Sequence, residues 1–364
     1  MRVIAAPNQD PQAVYQTCVN AITDDGLRNR LEVLSGSIAS VATDYERKGV
    51  AKKLYTLPVN ECRNDEVVIG DVTKAEIKNV YTTYMVGKAR PARAIYDAML
   101  SRAPLGRCPF CGMGHASTLD HYLPKAKYPM LSVVPLNLVP SCKNCNTGKR
   151  TSIAARAEEQ SLHPYFDHQH FIIDQWLFAE IVSTEPETVR YFVRAPESWD
   201  DVSKGRVKSH FVAFNLASRF SVEAANELAS QKQFLNEFSK KNGLHALVGL
   251  LSDQAESLSR IHANSWQTAF YQALLGKTLE TFSVNEELTE ICPVCEGEGV
   301  FVKYSCPCCK GNGFVSPRLL EEINLPDYEY LKCTECDGRP GCRLCSGKGS
   351  IRRETALSLT RSRP

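Results

Sequence analysis

Apolar residues recur at helical spacing near the start of the chain. Val14, Cys18 and Ile22 fall on one face, and Leu27, Leu31 and Leu34 on another, within residues 11–48. Asp24-Asp25-Gly26 separates them and starts the second helix. Lys74 to Val86 and Pro91 to Leu100 carry the pattern of two more helices. Period-two runs rich in Phe, Tyr, Val and Ile predict a hairpin from Phe171 to Phe178 and Thr188 to Val193. From Ser203 to about Phe282 the helical period returns through Leu228, Phe234, Leu235, Phe238, Leu247, Leu250, Leu251, Leu258 and Ile261. Between these regions the pattern shortens. It predicts a strand ending at His121, a loop over Pro124 to Pro129, a strand through Val133 to Val139 and a helix from about Cys142. The fold class is α+β and mainly helical. No run of 18 apolar residues exists, so no transmembrane helix is expected.

The short segment carries the densest chemistry. Cys108/Cys111 and Cys142/Cys145 are two Cys-x-x-Cys pairs, the spacing with which four thiolates grip one tetrahedral Zn²⁺. Between and beside them lie Asp120-His121, Asn137 and Asn146. Hydrolysis of a phosphodiester needs a base for water and a cation for charge on the leaving 3′ oxygen. Imidazole titrates near neutrality, so His121 suits the base. Neighbours in a strand point to opposite faces, so Asp120 can hold a metal while His121 faces water. Asn146 offers a second oxygen ligand, and one carboxylate, one amide oxygen and waters suit Mg²⁺ or Mn²⁺. Taken singly, an Asp-His pair is ordinary surface polarity and an Asn is a turn residue. His115 is either a phosphate contact or a solvated loop residue.

Leu119-Asp120-His121 with Pro124, Asn137-Leu138, and Cys142-Lys143-Asn144-Cys145-Asn146 with Lys149 together resemble the HNH endonucleases, the ββα-metal nucleases, in a zinc-stapled form. Asn146 stands where that family commonly has histidine. The resemblance implies a zinc-stapled ββα-metal core, cleavage of DNA to 5′-phosphate and 3′-hydroxyl ends, and a role for Asn137 in tying the hairpin loop and orienting His121. It also points to the nuclease partners of ATPases in bacterial anti-phage systems of the Septu kind. His163-Pro164-Tyr165-Phe166-Asp167, with His168 and His170 after it, also resembles a stretch of stand-alone bacterial HNH proteins. Packing of Tyr165 and Phe166 with a hydrogen-bonded His163 is favoured there over metal binding.

Composition adjusts this picture in two places. The 364 residues are 43% hydrophobic with a net charge of +2, so the chain is globular and total charge says nothing of nucleic acid. Arg102, Arg107, Lys125, Lys127, Lys143, Lys149, Arg150 and Arg156 nevertheless cluster around the motif, which suits a polyanion. The fifteen cysteines, twelve of them in Cys-x-x-Cys pairs, indicate zinc in a reducing cytoplasm better than disulfides. Cys18 and Cys62 are assigned to packing. Gly276-Lys277-Thr278 ends like a phosphate loop but has Tyr271 where the first glycine is needed, so nucleotide binding is rejected.

The tail repeats Cys-x-x-Cys-x-Gly-x-Gly four times, at Cys292/Cys295, Cys306/Cys309, Cys333/Cys336 and Cys342/Cys345. The third repeat departs, with Pro340 after Asp337-Gly338. This resembles the cysteine-rich zinc domain of DnaJ-type co-chaperones, without a J-domain signature. Spacing alone leaves the pairing open. The resemblance implies that Cys292, Cys295, Cys342 and Cys345 share one zinc and Cys306, Cys309, Cys333 and Cys336 another, three zinc ions per chain in all, with Cys308 outside. Lys348, Arg352 and Arg353 are candidate phosphate contacts. The domains expected are a helical cap at 1–102, the nuclease module at 103–170, a hairpin and helical support region at 171–284 and the zinc domain at 285–364. The functional expectation is a cytoplasmic DNA endonuclease acting with an ATPase. The alternative is a non-catalytic zinc module that binds nucleic acid or a client protein.

Overall fold

Short polar side chains start the N-terminal helices. The computed structural model describes residues 1–149, 153–167, 169–182, 187–284, 290–302, 304–333, 336 and 342–362. Arg150, His168, Asp337, Gly338 and Pro340 lie outside the described residues. Asp10 accepts the Ala13 N–H, and Pro11 opens α1 (Pro11–Asn20). Asp24 caps α2 (Asp25–Glu32) through Leu27, and α3 follows at Ser35–Val50, so the second helix of the periodic pattern is divided near Leu34. Strands β1 (Val67–Ile69) and β2 (Val72–Thr73) lead into α4 (Lys74–Asn79), which Thr73 and Glu76 start with reciprocal caps. The helix then widens into a π-helical segment, Val80–Met85, where the sequence pattern shows a plain α-helix. Helix α5 covers Arg93–Leu100.

Strand β3 (Thr118–His121) pairs antiparallel with β4 (Leu138–Ser141), His121 opposite Leu138 and Thr118 opposite Ser141. Helix α6 (Lys143–Gly148) follows at once. The second strand starts later than Val133 because Pro135 has no N–H to give a ladder, and Pro135–Asn137 closes as a 3₁₀ turn. Phe171 is buried in α7 (His170–Ile173), so β5 begins only at Leu177 (Leu177–Val182) and pairs with β6 (Thr188–Val193). Helix α8 spans Asp201–Ala213.

Two compact units result, and the ranges are interleaved. One comprises Met1–Phe178, Tyr191–Phe220 and His262–Trp266; the other comprises Ala179–Arg190, Ser221–Ile261 and Gln267–Pro364. The 1–102 and 103–170 regions of the sequence reading thus lie together in the first unit. Its interior holds a buried ion pair, Arg206 Nη1 to Asp167 Oδ1 at 2.7 Å, with side chains 3% and 0% exposed. Arg206 also donates to the carbonyls of Gln160 and Ser161, each at 3.0 Å. His163 is buried, lies 3.1 Å from Tyr45 Oη and accepts the Tyr165 N–H. This stretch therefore packs, as the residue pattern favours.

The second unit contains most of α9 (Leu216–Asn242), α10 (Leu244–Ile261) and α11 (Trp266–Val284). Gly276-Lys277-Thr278 lies inside α11, which excludes a phosphate loop. The tail adds β7 (Glu290–Ile291), β8 (Val300–Phe301), β9 (Tyr304–Ser305), β10 (Phe314–Val315), α12 (Pro317–Glu322), β11 (Tyr330–Lys332), β12 (Ser350–Arg352) and α13 (Arg353–Arg361). β7 pairs with β10, β8 with β9 and β11 with β12. Ser305 donates to Lys241 O at 3.0 Å, which seats the tail on the α9–α10 corner. No helix among the described residues is long and apolar enough to cross a membrane.

Arg206→Met should leave the Asp167 carboxylate buried without its partner. A cost of about 3–5 kcal/mol is expected for such a change. Urea denaturation measures it, and an unchanged midpoint would show that the pair does not hold this interior together.

Candidate functional site

The first cysteine cluster joins the two ends of the β3–β4 hairpin. Cys108 and Cys111 precede β3; Cys142 caps α6 and Cys145 lies within it. The four sulfurs are buried and lie within 4.8 Å of one another, with Cys111 and Cys142 Sγ at 3.8 Å. A tetrahedral Zn²⁺ with Zn–S bonds near 2.3 Å requires sulfur–sulfur edges of about 3.8 Å. The Gly114 N–H points at Cys111 Sγ and the Cys145 N–H at Cys142 Sγ, each at 3.4 Å, as thiolates need. Arg219 was not found from the sequence. Its guanidinium donates to Cys145 Sγ at 3.2 Å, Cys111 Sγ at 3.4 Å and Cys142 Sγ at 3.5 Å. It offsets part of the negative charge that four thiolates carry. The donor set fits one structural zinc.

The tail cysteines group in sequence order, which corrects the pairing taken from the co-chaperone resemblance. Cys292, Cys295, Cys306 and Cys309 form one cluster and Cys333, Cys336, Cys342 and Cys345 the other. The β8–β9 hairpin turns the second repeat back onto the first, and the long insert becomes the link between the two sites. Interlocked glycines then fix the first pair. Cys292 N–H donates to Gly313 O at 2.9 Å, and Cys306 N–H to Gly299 O at 2.8 Å. A Cβ at Gly313 would sit 2.5 Å from Gly297 O, and one at Gly299 would sit 2.6 Å from Gly311 O. Both have positive φ, so only glycine permits this approach. The clusters fit two further structural zinc ions, and Cys308 lies outside both.

Asp120 and Asn146 come to one face of β3. Asn146 Nδ2 donates to Thr118 Oγ1 at 3.0 Å, and Thr118 shares the Asp120 face by strand alternation. Asp120 is 5% exposed, and its Oδ2 has no hydrogen-bond partner among the described residues. Burial pushes its carboxyl up to about 7, against the pull of the nearby Lys149 cation. A buried carboxylate oxygen without a partner fits a hard cation such as Mg²⁺ or Mn²⁺, and Asn146 reaches the same face through Thr118.

His121 is on the opposite face, with Nε2 2.8 Å from Ser132 O. A carbonyl only accepts, so Nε2 carries the proton and Nδ1 keeps its lone pair. Burial pushes the imidazole down to about 3, well below the near-neutral value expected from the sequence, so the ring is neutral at pH 7 but a weaker base than a solvated imidazole. Asn137 is fully buried and ties the loop. It accepts from Leu123 N–H at 2.7 Å and donates to Leu123 O at 3.0 Å and Leu131 O at 3.2 Å, next to Ser132.

The basic residues around the motif are less available than their sequence cluster implies. Lys149 is buried: its ammonium donates to Tyr122 O and lies 4.3 Å from the Tyr122 ring centroid. Lys127 pairs with Glu61 at 2.8 Å, and Arg156 with Glu158 and Glu159. Arg102 and Arg107 bind backbone carbonyls, whereas Lys143 is exposed. His115 is an exposed residue bridged to Arg107. In the tail, Arg353 donates to Pro293 O at 2.6 Å, while Lys348 and Arg352 are exposed. Cys18 is fully buried, and Cys62 is half-buried near Asn60.

Protein ea31 of Escherichia phage lambda is 39% identical over 287 residues, covering 75% of this chain and 97% of that protein. The chain belongs to the ea31 family. No family model matches it, and no solved structure matches it.

Zinc analysis separates the two tail pairings in this ea31 relative. Wild type should carry three zinc ions, one per cysteine cluster. Replacing Cys292 and Cys306 together by serine should remove one zinc, since both serve one cluster. Loss of two would restore the outer-with-outer pairing.

Proposed function

We propose that the chain is a metal-dependent DNA endonuclease of the HNH kind. One arrangement supports this reading: β3 carries an oriented, neutral imidazole on one face and, on the other, a buried carboxylate oxygen without a partner, with Asn146 bonded to Thr118 of that face. A module that only binds needs neither group.

Each residue then has a stated task. His121 Nδ1 removes a proton from water, whose oxygen attacks phosphorus as the bond to the 3′ oxygen breaks, and the leaving 3′ oxygen takes its proton from solvent. Ser132 O holds the Nε2 proton, so the ring keeps one tautomer, and Asn137 fixes the loop from which Ser132 projects. Asp120 and Asn146 would hold Mg²⁺ or Mn²⁺, which supplies charge stabilisation at the leaving oxygen. Lys149 offsets the Asp120 charge from within the protein. The products follow the family resemblance, a 5′-phosphate and a 3′-hydroxyl. An ATPase partner in an anti-phage setting follows from the same resemblance; Gly276-Lys277-Thr278 lies within α11 and forms no phosphate loop.

Conversion of supercoiled plasmid to nicked circles in Mg²⁺ tests the reading. His121→Ala should lose roughly 10²–10⁴-fold in rate with little change in DNA affinity. Cleavage at the wild-type rate would remove His121 as base. Asn146→Ala should be impaired in Mg²⁺ and partly rescued by excess Mn²⁺; a loss indifferent to metal would make Asn146 structural.

A further inference from the structure

We propose that Lys125 is the phosphate-binding cation of the His121 site, seated there by Tyr81 and Thr82 to receive a nonbridging oxygen of a DNA phosphodiester. The inference rests on the endonuclease reading and adds to it a group that touches substrate. Its basis is a shared platform. The Tyr81 ring stands edge-on to the His121 imidazole with centroids 4.4 Å apart. The Lys125 ammonium lies 4.7 Å from the same Tyr81 centroid and donates to Thr82 Oγ1 at 2.7 Å. Tyr81 is itself held, its hydroxyl donating to Leu119 O at 2.9 Å. Tyr81 and Thr82 are consecutive residues of the π-helical segment, a rare conformation that recurs at functional sites.

Charge separates Lys125 from its neighbours. Lys127 has Glu61, but among the described residues the charge that acts on Lys125 is another cation, Lys78, which donates to Asn64 Oδ1 at 2.9 Å. Burial, then Lys78, pushes the Lys125 ammonium down to about 8, so it is still protonated at pH 7. A half-buried cation beside a second cation is relieved by an incoming anion. As water adds to phosphorus, negative charge grows on the nonbridging oxygens, and a charge-assisted hydrogen bond from Lys125 strengthens with it. No bond to Lys125 forms or breaks.

The test uses the full zinc-loaded chain. Lys125→Met should cut plasmid nicking about 10–100-fold at an unchanged melting temperature, and Lys125→Arg should restore most of it. Lys125→Gln, which can still reach Thr82, serves if the methionine variant misfolds. In a His121→Ala background, which halts cleavage, duplex affinity is measured against salt. Removing Lys125 should lower the slope of log affinity against log salt by about 0.9. An unchanged slope with unchanged nicking overturns the proposal. A wild-type chain that binds duplex without nicking it defeats the endonuclease reading, while the slope still decides Lys125. Absence of duplex binding overturns both.

Discussion

The tether formed by Cys108, Cys111, Cys142 and Cys145 is the constraint on which the rest depends. The β3–β4 hairpin has four residues per strand, and an isolated two-stranded hairpin of that size is marginal in water. Structural zinc in small modules is worth roughly 10–16 kcal/mol of apparent binding energy. That is comparable with the whole stability of an ordinary domain, about 5–15 kcal/mol. The tether therefore decides whether β3 has a fixed place. Once β3 is fixed, Asp120 and His121 must face opposite ways. Because Cys142 is both a metal ligand and the cap of α6, the same cluster also sets where Asn146 meets Thr118.

The remaining order comes from burial of polar groups that find specific partners. Asn137 closes the loop, Ser132 reads the imidazole proton, and Arg206 clamps the segment after α6 through Asp167, Gln160 and Ser161. Against that background the unpartnered Asp120 oxygen stands out. Asp120 Oδ2 is the buried polar atom of the hairpin without a partner among the described residues, and the proposed metal site rests on it.

Local chemistry was legible in the sequence and distant chemistry was not. Cys-x-x-Cys spacing, the Asp-His alternation and the Asp24 cap each act within a few residues, so the clusters, β3 and the start of α2 could be read directly. Arg219 lies 74 residues beyond Cys145 in a helix whose period shows only packing. Lys149 reads as part of a basic cluster suited to a polyanion because nothing local signals that Tyr122 will cover it. The π segment over Val80–Met85 has the apolar spacing of an α-helix. The tail pairing failed for a different reason: it followed a resemblance, whereas the β8–β9 hairpin brings the first two repeats together before the long insert begins.

Whether Asp120 holds a metal is tested most directly by Mn²⁺ titration of the zinc-loaded chain followed by electron paramagnetic resonance. The account predicts one bound Mn²⁺ per chain that Asp120→Asn abolishes while all three zinc ions stay in place. Binding unaffected by Asp120→Asn, or no Mn²⁺ binding by wild type, would contradict it.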